Sequence, residues 1–238
     1  MRSPFHFFRY LSDKLPINYP ELVLNELVNL HERFANPLRV LDIGAGPGHY
    51  WKGDKLSSFL ITTNSELTLF DASSEFDSEV FPPGMLVDRK LGIVPESLKL
   101  IPDDYFDYVL AIDLIEHLSK SDGYLFLYEL DRISKGSSAL LTPNGFAWQP
   151  PSINNIYNAH ISGWTIKEFK QLGWKSVRGQ VGFKKLYGPY ALQKYKGTSR
   201  LILESIAALK IISFLFPTQS FSIFASKSTK NPRIKIHE

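Results

Sequence analysis

The chain has 238 residues, of which 44% are hydrophobic and 21% charged, a composition that can bury a core and excludes global disorder. Its net charge of +3 is too small to predict nucleic-acid binding. The absence of cysteine excludes disulfides, thiolate metal sites and a cysteine nucleophile, and it fits a reducing compartment.

Helical and strand patterns alternate along the chain after an aromatic and basic N-terminal segment, residues 1–19. A helix is predicted to begin at Pro20 and to end before Asn36-Pro37. Its apolar face is formed by Val23, Leu27, Leu30 and Phe34. Strands are predicted over residues 38–43, over residues 67–70 closing on Asp71, over residues 85–87 closing on Asp88, and over residues 106–112. The nearly continuous apolar run of the last one predicts a strand covered on both faces.

The second half of the sequence continues this alternation. A helix is predicted from Ser121-Asp122 to Gly136, and its buried residues are Phe126, Leu127, Leu130 and Ile133. After a strand over residues 139–142, a capping box from Thr165 to Glu168 opens a short helix that ends near Gly173. Strands are predicted around residues 175–181 and 221–225. The pattern indicates an α/β fold with helices on both faces of a mostly parallel sheet, whose ligand lies outside the carboxyl ends of the strands.

Three parts are expected along the chain: an N-terminal helical cap segment over residues 1–36, a main domain over residues 37–226, and a basic tail over residues 227–238. The main domain contains a hydrophobic helix insertion at about residues 184–217. Within it, the polar residues of the 199–216 helix are scattered around the axis, so this helix needs cover on more than one side. Cover by the core together with a dimer partner is the first interpretation, a membrane surface the second and complete burial in an ordinary core the third.

Two further features of the sequence concern location. The most apolar stretch, residues 201–216, carries Glu204 and Lys210 and is shorter than the roughly 20 residues of a membrane span. The first ten residues have no uninterrupted apolar core, so a secretory signal is not expected. We therefore expect a cytoplasmic protein, with contact to the inner membrane face through residues 199–216 as an alternative.

The strongest motif is a glycine loop, Val40-Leu-Asp-Ile-Gly-Ala-Gly-Pro-Gly48, directly after a predicted strand. A phosphate-binding loop would end in Gly-Lys-Ser/Thr, whereas His49 and Tyr50 follow here. A dinucleotide fingerprint would have a third glycine at the position of His49. A purely structural strand-to-helix turn is a further alternative.

The order of motifs resembles the class I S-adenosylmethionine-dependent methyltransferases over residues 20–183. The glycine loop with Asp42 looks like the first motif of that family, and Asp71 matches its ribose-binding acid. Asp88 is similar to the residue that reads the adenine amino group. Residues 106–118, which end in Glu-His-Leu, and residues 140–145 resemble its fourth and fifth strands. The resemblance implies a Rossmann-like, seven-stranded sheet with the last strand antiparallel.

The resemblance also implies a bound S-adenosylmethionine. The residues expected to hold it are Asp42, Gly44, Ala45, Gly46, Gly48, Asp71, Ala72, Asp88, Ile112 and Asp113. One carboxylate can accept both hydrogen bonds of a ribose diol, and a donor without phosphates needs no lysine in the loop. As an alternative, Asp71 caps a helix that begins near Ser73 and Ser74.

Two of the six histidines lie where an acceptor is expected. His117 follows the fourth strand, and His160 lies in a loop after the fifth strand, so both are candidate catalytic bases near neutral pH. The alternative is structural: Glu116-His117 holds its loop by hydrogen bonds, and His160 braces Trp164. No metal site is expected.

We therefore predict an S-adenosylmethionine-dependent methyltransferase that acts on a small molecule, with a hydroxyl oxygen as the acceptor atom. By analogy with similar bacterial enzymes, the acceptor is a glycan or a lipid-linked intermediate. The alternatives are a nicotinamide oxidoreductase, a donor-binding protein without transfer activity, and a membrane-surface adaptor. A small-molecule acceptor and a second copy of the chain are the expected partners, and nucleic acid is not.

Overall fold

The computed structural model describes residues 19–73, 80–151, 156–174, 176–183, 198 and 217–229. These residues belong to two compact units. One, here called the glycine-loop unit, comprises the described parts of residues 23–112, 121–140 and 226–238. The other, here called the histidine unit, comprises the described parts of residues 1–22, 113–120 and 141–225.

Helices and strands alternate along the described chain as the sequence predicts. The helices are α1 (Tyr19–Phe34), α2 (Asp54–Thr62), α3 (Lys120–Ile133) and α4 (Ile166–Gln171). The strands are β1 (Arg39–Ile43), β2 (Glu66–Asp71), β3 (Leu86–Leu91), β4 (Phe106–Ile112), β5 (Ser134–Pro143), β6 (Ser176–Phe183) and β7 (Ser220–Ser228). Short 3-10 turns occur at His49–Lys52, Glu96–Leu100, Ile115–His117, Ile156–Asn158 and Pro217–Gln219.

The strands lie in one sheet in the order β3-β2-β1-β4-β5-β7-β6. The pairs β1–β2, β1–β4 and β2–β3 are parallel. β7 runs antiparallel to β5, because Asn144 N–H bonds to Phe221 O at one end and Thr229 N–H to Gly136 O at the other. A mostly parallel α/β sheet with an antiparallel last strand is therefore confirmed.

Burial follows the predicted pattern in both the helices and the central strands. In α1, Val23 and Leu27 are fully buried, and the four apolar residues predicted for α3 are buried as well. Every residue of β4 from Phe106 to Ala111 is buried, as expected of a strand covered on both faces. The capping box at Thr165 is also present, with the Thr165 and Glu168 side chains each bonded to the backbone of the other.

The predicted end of the third strand is wrong. β3 continues to Leu91, so Asp88 lies in the middle of the strand, opposite Thr68, and Leu91 lies opposite Asp71. β3 is the edge of the sheet, where charged side chains remain in water. Asp88, Arg89 and Lys90 therefore continue the strand although they are charged.

The predicted end of the long helix is also wrong. α3 ends at Ile133 and β5 begins at Ser134, so Gly136 is a strand residue and not a helix terminator. A Cβ atom at Gly136 would lie 2.5 Å from Asp107 O and 2.7 Å from Leu30 Cδ2. The glycine is required by this close approach of β5 to its neighbours, which local sequence does not reveal.

Other predicted boundaries shift by a few residues or lie outside the described residues. Gly53 interrupts the helix after the glycine loop by standing between the His49–Lys52 turn and α2. β7 extends to Ser228, past the predicted start of the tail, and Lys227 pairs with Asp131 of α3. The predicted hydrophobic helix at 199–216 lies outside the described residues, and so do the dimer and membrane contacts assigned to it. No helix within the described part of the chain is both long enough and apolar enough to cross a membrane.

Candidate functional site

The glycine loop leaves β1 and is attached to the end of β2. Gly44, Gly46 and Gly48 have φ values of 72°, 49° and 68°, a left-handed conformation that favours glycine. The backbone N–H groups of Gly44 and Ala45 both donate to Phe70 O, at 2.8 and 3.3 Å. The loop is therefore held at the carboxyl ends of two parallel strands, where ligands bind in sheets of this kind.

Asp71, the last residue of β2, connects this loop to the chain that follows it. Its Oδ2 accepts from Gly46 N–H and its Oδ1 accepts from Ser73 N–H, both at 2.8 Å. Each carboxylate oxygen has two lone pairs, so each can accept a further hydrogen bond. The Ser73 contact also agrees with the alternative of a local cap, but the residues in which such a helix would lie, 74–79, are outside the described chain.

Gly46 and Gly48 face different surroundings. A Cβ atom at Gly48 would lie 2.8 Å from Phe81 Cζ and 2.9 Å from Leu69 Cδ1, so this glycine makes room for packed side chains. A Cβ atom at Gly46 would meet no described atom within 4 Å. The backbone at Gly46 is therefore open to a ligand, directly beside the Asp71 carboxylate.

Asp42 lies beneath the loop and is buried, with 3% of its surface exposed. Its Oδ2 accepts from the indole Nε1 of Trp51 at 2.6 Å, and its Oδ1 has no hydrogen-bond partner among the described residues. Burial raises the pKa of Asp42 to about 7, the Trp51 hydrogen bond opposes this rise, and the negative charge of Asp71 adds to it. Trp51 belongs to no recognisable sequence motif, so sequence analysis did not predict that it contacts Asp42.

Replacement of Asp42 by asparagine is expected to change how stability depends on pH. Because the pKa of Asp42 is higher in the folded than in the unfolded chain, its contribution to the free energy of unfolding falls as the pH rises through about 4 to 7. When the pH is raised from 5 to 8, the free energy of unfolding of the wild type should fall by about 2.5 kcal/mol relative to that of Asp42→Asn. Urea denaturation of both proteins at the two pH values measures this, and a pH-independent difference would contradict it.

The other residues predicted to hold the donor occupy three places. Ala45 belongs to the glycine loop, Ala72 follows β2 with an exposed side chain, and Ile112 is the last residue of β4. Asp113 has a φ of 49° and begins the described part of the histidine unit that follows β4. Its N–H donates to Leu141 O at 2.9 Å.

Asp88 lies in a different place from the rest of this set. Its side chain is 64% exposed and faces Lys90 Nζ at 3.9 Å. It lines an open cleft of about 350 Å³ together with Arg39 and Glu66, the first residues of β1 and β2. Those residues are at the amino ends of the strands, whereas the glycine loop is at their carboxyl ends. The structure therefore does not bring Asp88 to the glycine loop.

In the histidine unit, three side chains meet: Glu116, His117 and His160. One ligand-type atom from each lies within 4.8 Å of the other two, and the imidazole rings meet edge to face with centroids 4.8 Å apart. His117 Nδ1 lies 3.0 Å from Ala159 O, and His160 Nδ1 lies 2.6 Å from Ala147 O. Since a carbonyl only accepts, both Nδ1 atoms carry hydrogen, and in the neutral rings both Nε2 atoms keep a lone pair.

Glu116 is the buried member of this cluster, with 2% of its surface exposed. Its Oε2 accepts from Thr142 Oγ1 at 2.9 Å, and its Oε1 has no hydrogen-bond partner among the described residues. Burial, with a smaller contribution from Asp113, raises the pKa of Glu116 to about 8 against the lowering effect of its backbone and Thr142 hydrogen bonds. A carboxyl group in such a place is costly unless a proton or a cation accompanies it.

Residues 116 and 117 contribute hydrogen bonds to the loop that carries His160. Glu116 O accepts from the N–H groups of Ile161 and Ser162, at 2.9 and 3.1 Å. Together with the His117–Ala159 bond, these contacts confirm that Glu116-His117 holds its loop. The Trp164 indole donates to Ser162 Oγ at 3.0 Å, and the alternative in which His160 braces Trp164 stays a prediction.

Comparison with known proteins identifies the fold of the chain through solved structures. No protein-family model matches the chain, and no curated protein matches it. Among solved structures, the complex between the Haloferax volcanii Trm112 methyltransferase activator and a putative methyltransferase contains a similar chain, with a TM-score of 0.50, 13% identity and 85% of each chain covered. WbdD, a bifunctional kinase-methyltransferase, also has a TM-score of 0.50, with 13% identity and coverage of 89% of this chain and 40% of that one. The chain has the class I methyltransferase fold.

A methyltransferase from Archaeoglobus fulgidus, described as SAM-dependent, is also similar, with a TM-score of 0.49, 22% identity and coverage of 89% of this chain and 95% of that one. Sequence analysis predicted the glycine loop, Asp71, His117 and His160 as site residues, and these assignments stay predictions. It did not identify Trp51 as the partner of Asp42. It treated Glu116 as a loop residue, since nothing in the sequence indicates that one of its oxygens is buried without a partner.

Proposed function

We propose that the chain is an S-adenosylmethionine-dependent methyltransferase that acts on a small-molecule acceptor, with a hydroxyl oxygen as the acceptor atom. The observation that carries the proposal is Asp71, whose carboxylate bonds to Gly46 N–H, near which no described atom would meet a Cβ atom within 4 Å, and keeps acceptor capacity on both oxygens. A ribose diol presents two O–H donors at a spacing that one carboxylate can accept.

The chemistry of the loop favours a donor without phosphates. The loop has no lysine or arginine between Asp42 and Gly48, and a Cβ atom at Gly46 would meet no described atom within 4 Å. The donor's sulfonium and ammonium groups are cations, which an ionised carboxylate attracts. In this proposal the donor is held by Asp42, Gly44, Ala45, Gly46, Gly48, Asp71, Ala72, Ile112 and Asp113. Asp88 is left out because of its place in β3.

We propose that His117 and His160 act on the acceptor. In the transfer, the acceptor oxygen loses its proton and attacks the methyl carbon; the carbon–sulfur bond breaks and its electron pair stays on sulfur, which leaves a neutral thioether. The Nε2 lone pairs of the two histidines can receive the proton, which is the role of a general base. We propose a glycan or a lipid-linked intermediate as the first acceptor class to test.

Titration calorimetry tests the donor half of this proposal. The full-length chain should bind S-adenosylhomocysteine with one site per chain and should not bind NAD⁺. Binding of NAD⁺ alone would indicate the nicotinamide oxidoreductase, and binding of neither would overturn the proposal.

Incubation with methyl-labelled donor and a panel of hydroxylated glycans and lipid-linked sugars tests the transfer half. We expect label in an acid-stable ether product and a matching amount of S-adenosylhomocysteine. Donor binding without product from any acceptor would favour the donor-binding protein without transfer activity.

A further inference from the structure

We propose that Glu116, His117 and His160 bind a divalent first-row transition-metal ion such as Zn²⁺. The catalytic role that we give this ion rests on the proposed methyl transfer, whereas its binding does not. Two imidazole nitrogens and one carboxylate oxygen are the ligand set of open zinc sites, which keep a position for water or substrate. Nitrogen ligands favour such ions over Mg²⁺ or Ca²⁺, which prefer oxygen.

The geometry of the cluster suits one ion. One ligand atom of each side chain lies within 4.8 Å of the others. Ligands of a tetrahedral zinc ion at about 2.1 Å lie roughly 3.4 Å apart, so the ligand atoms have to approach one another by up to about 1.4 Å to complete the site. All three belong to one compact unit, the histidine unit.

The outer faces of the three side chains are already held. His117 Nδ1 and His160 Nδ1 donate to the carbonyls of Ala159 and Ala147, and Glu116 Oε2 accepts from Thr142. Hydrogen bonds from the non-ligating atoms to carbonyl groups fix the tautomer and orientation of metal-binding histidines in proteins. The atoms that remain are the two Nε2 atoms and Glu116 Oε1.

Glu116 Oε1 is an independent reason to place a cation here. It is buried and has no hydrogen-bond partner among the described residues. A buried carboxylate oxygen without a partner costs free energy that a bound cation would recover. Because Thr142 occupies Oε2, the ion has one oxygen of Glu116 available.

In the proposed reaction this ion replaces the general base. An acceptor hydroxyl that occupies the open position becomes more acidic and releases its proton to water at neutral pH, as metal-bound water does. The resulting oxyanion then attacks the methyl carbon of the donor. His117 and His160 would act as ligands and could not then take the proton themselves.

Cobalt(II) titration of the full-length chain, after dialysis against a chelator, tests the site. We expect one Co²⁺ per chain, with visible absorption bands of a four- or five-coordinate ion, displaced by an equivalent of Zn²⁺. His160→Ala, His117→Ala and Glu116→Gln should each weaken binding at least about 30-fold, since each removes one of three ligands. Circular dichroism establishes that each variant is folded.

His31→Ala is the matched control. His31 also bonds through Nδ1 to a backbone carbonyl, Asn36 O at 3.0 Å, but it lies in α1 outside the cluster. This variant should bind Co²⁺ like the wild type. Absence of Co²⁺ binding by the wild type, or affinity that is unchanged in all three cluster variants, overturns the proposal.

The proposed function is tested separately by calorimetry with S-adenosylhomocysteine on the same metal-free protein. Donor binding without metal binding would overturn the metal proposal and leave the two histidines as the proposed bases. Metal binding without donor binding would support the metal site and contradict the proposed methyltransferase function. If both bind, chelation should abolish methyl transfer, and Zn²⁺ or Co²⁺ should restore it.

Discussion

Replacing Asp71 with alanine should weaken the binding of S-adenosylhomocysteine by about 100-fold or more. The change removes a charged acceptor for both ribose hydroxyls, and hydrogen bonds to a charged group contribute about 1.5–3 kcal/mol each. It also removes the partner of Gly46 N–H, so the glycine loop loses its hydrogen bond to the β2 terminus. Titration calorimetry of the wild type and the variant measures the loss, since every 1.4 kcal/mol is tenfold in affinity.

Asp88→Ala is the matched control for this experiment. Asp88 is an aspartate of the neighbouring strand, and the sequence pattern assigned it to the same ligand. Its position in the middle of β3, opposite Thr68, predicts donor affinity within about twofold of the wild type. Equal losses in Asp71→Ala and Asp88→Ala would contradict the site as we place it. Unchanged affinity in Asp71→Ala would remove Asp71 from the site altogether.

The difference between these two aspartates shows what the sequence could and could not predict. Asp71 follows four buried residues of β2, so the end of the strand is visible as a change from apolar to polar. β3 has no such change, because an edge strand exposes polar side chains along its length. Its end is defined by the ladder to β2, in which Leu91 lies opposite Asp71. That pairing is a property of the sheet and cannot be inferred from residues 85–91 alone.

Prediction of the site had the same limit. The glycine loop, Asp71, His117 and His160 were proposed because ligands bind outside the carboxyl ends of the strands in parallel sheets. The Trp51–Asp42 hydrogen bond depends on a turn that begins with a left-handed Gly48, and no side-chain pattern marks it. The contacts of Glu116 come from distant residues: its carboxyl group accepts from Thr142, and its backbone carbonyl accepts from Ile161 and Ser162, more than 40 positions away. Features of the site that depend on contacts between segments distant in sequence therefore could not be predicted from the motifs.

Gly163→Ala should destabilise the fold by about 3 kcal/mol. Gly145 N–H donates to Trp164 O at 2.6 Å, which brings the segment after β5 against the loop that carries His160. A Cβ atom at Gly163 would lie 2.4 Å from Phe146 N and 2.6 Å from Phe146 Cα. Both are backbone atoms, so the overlap can be relieved only by moving one segment, at a cost in the upper range for an overpacked site. Urea denaturation of the wild type and the variant measures the difference.

Gly173→Ala is the control that distinguishes the steric overlap at residue 163 from the backbone strain of replacing a glycine. Gly173 has a φ of 83° and no described atom within 4 Å of a Cβ position, so alanine there should cost about 1 kcal/mol through backbone strain alone. A loss in Gly163→Ala no larger than that in Gly173→Ala would contradict the close approach. If the loop moves as we expect, His160 moves with it, and only Gly163→Ala should also weaken Co²⁺ binding. The stability of this backbone contact and the assembly of the Glu116, His117 and His160 cluster then depend on the same glycine.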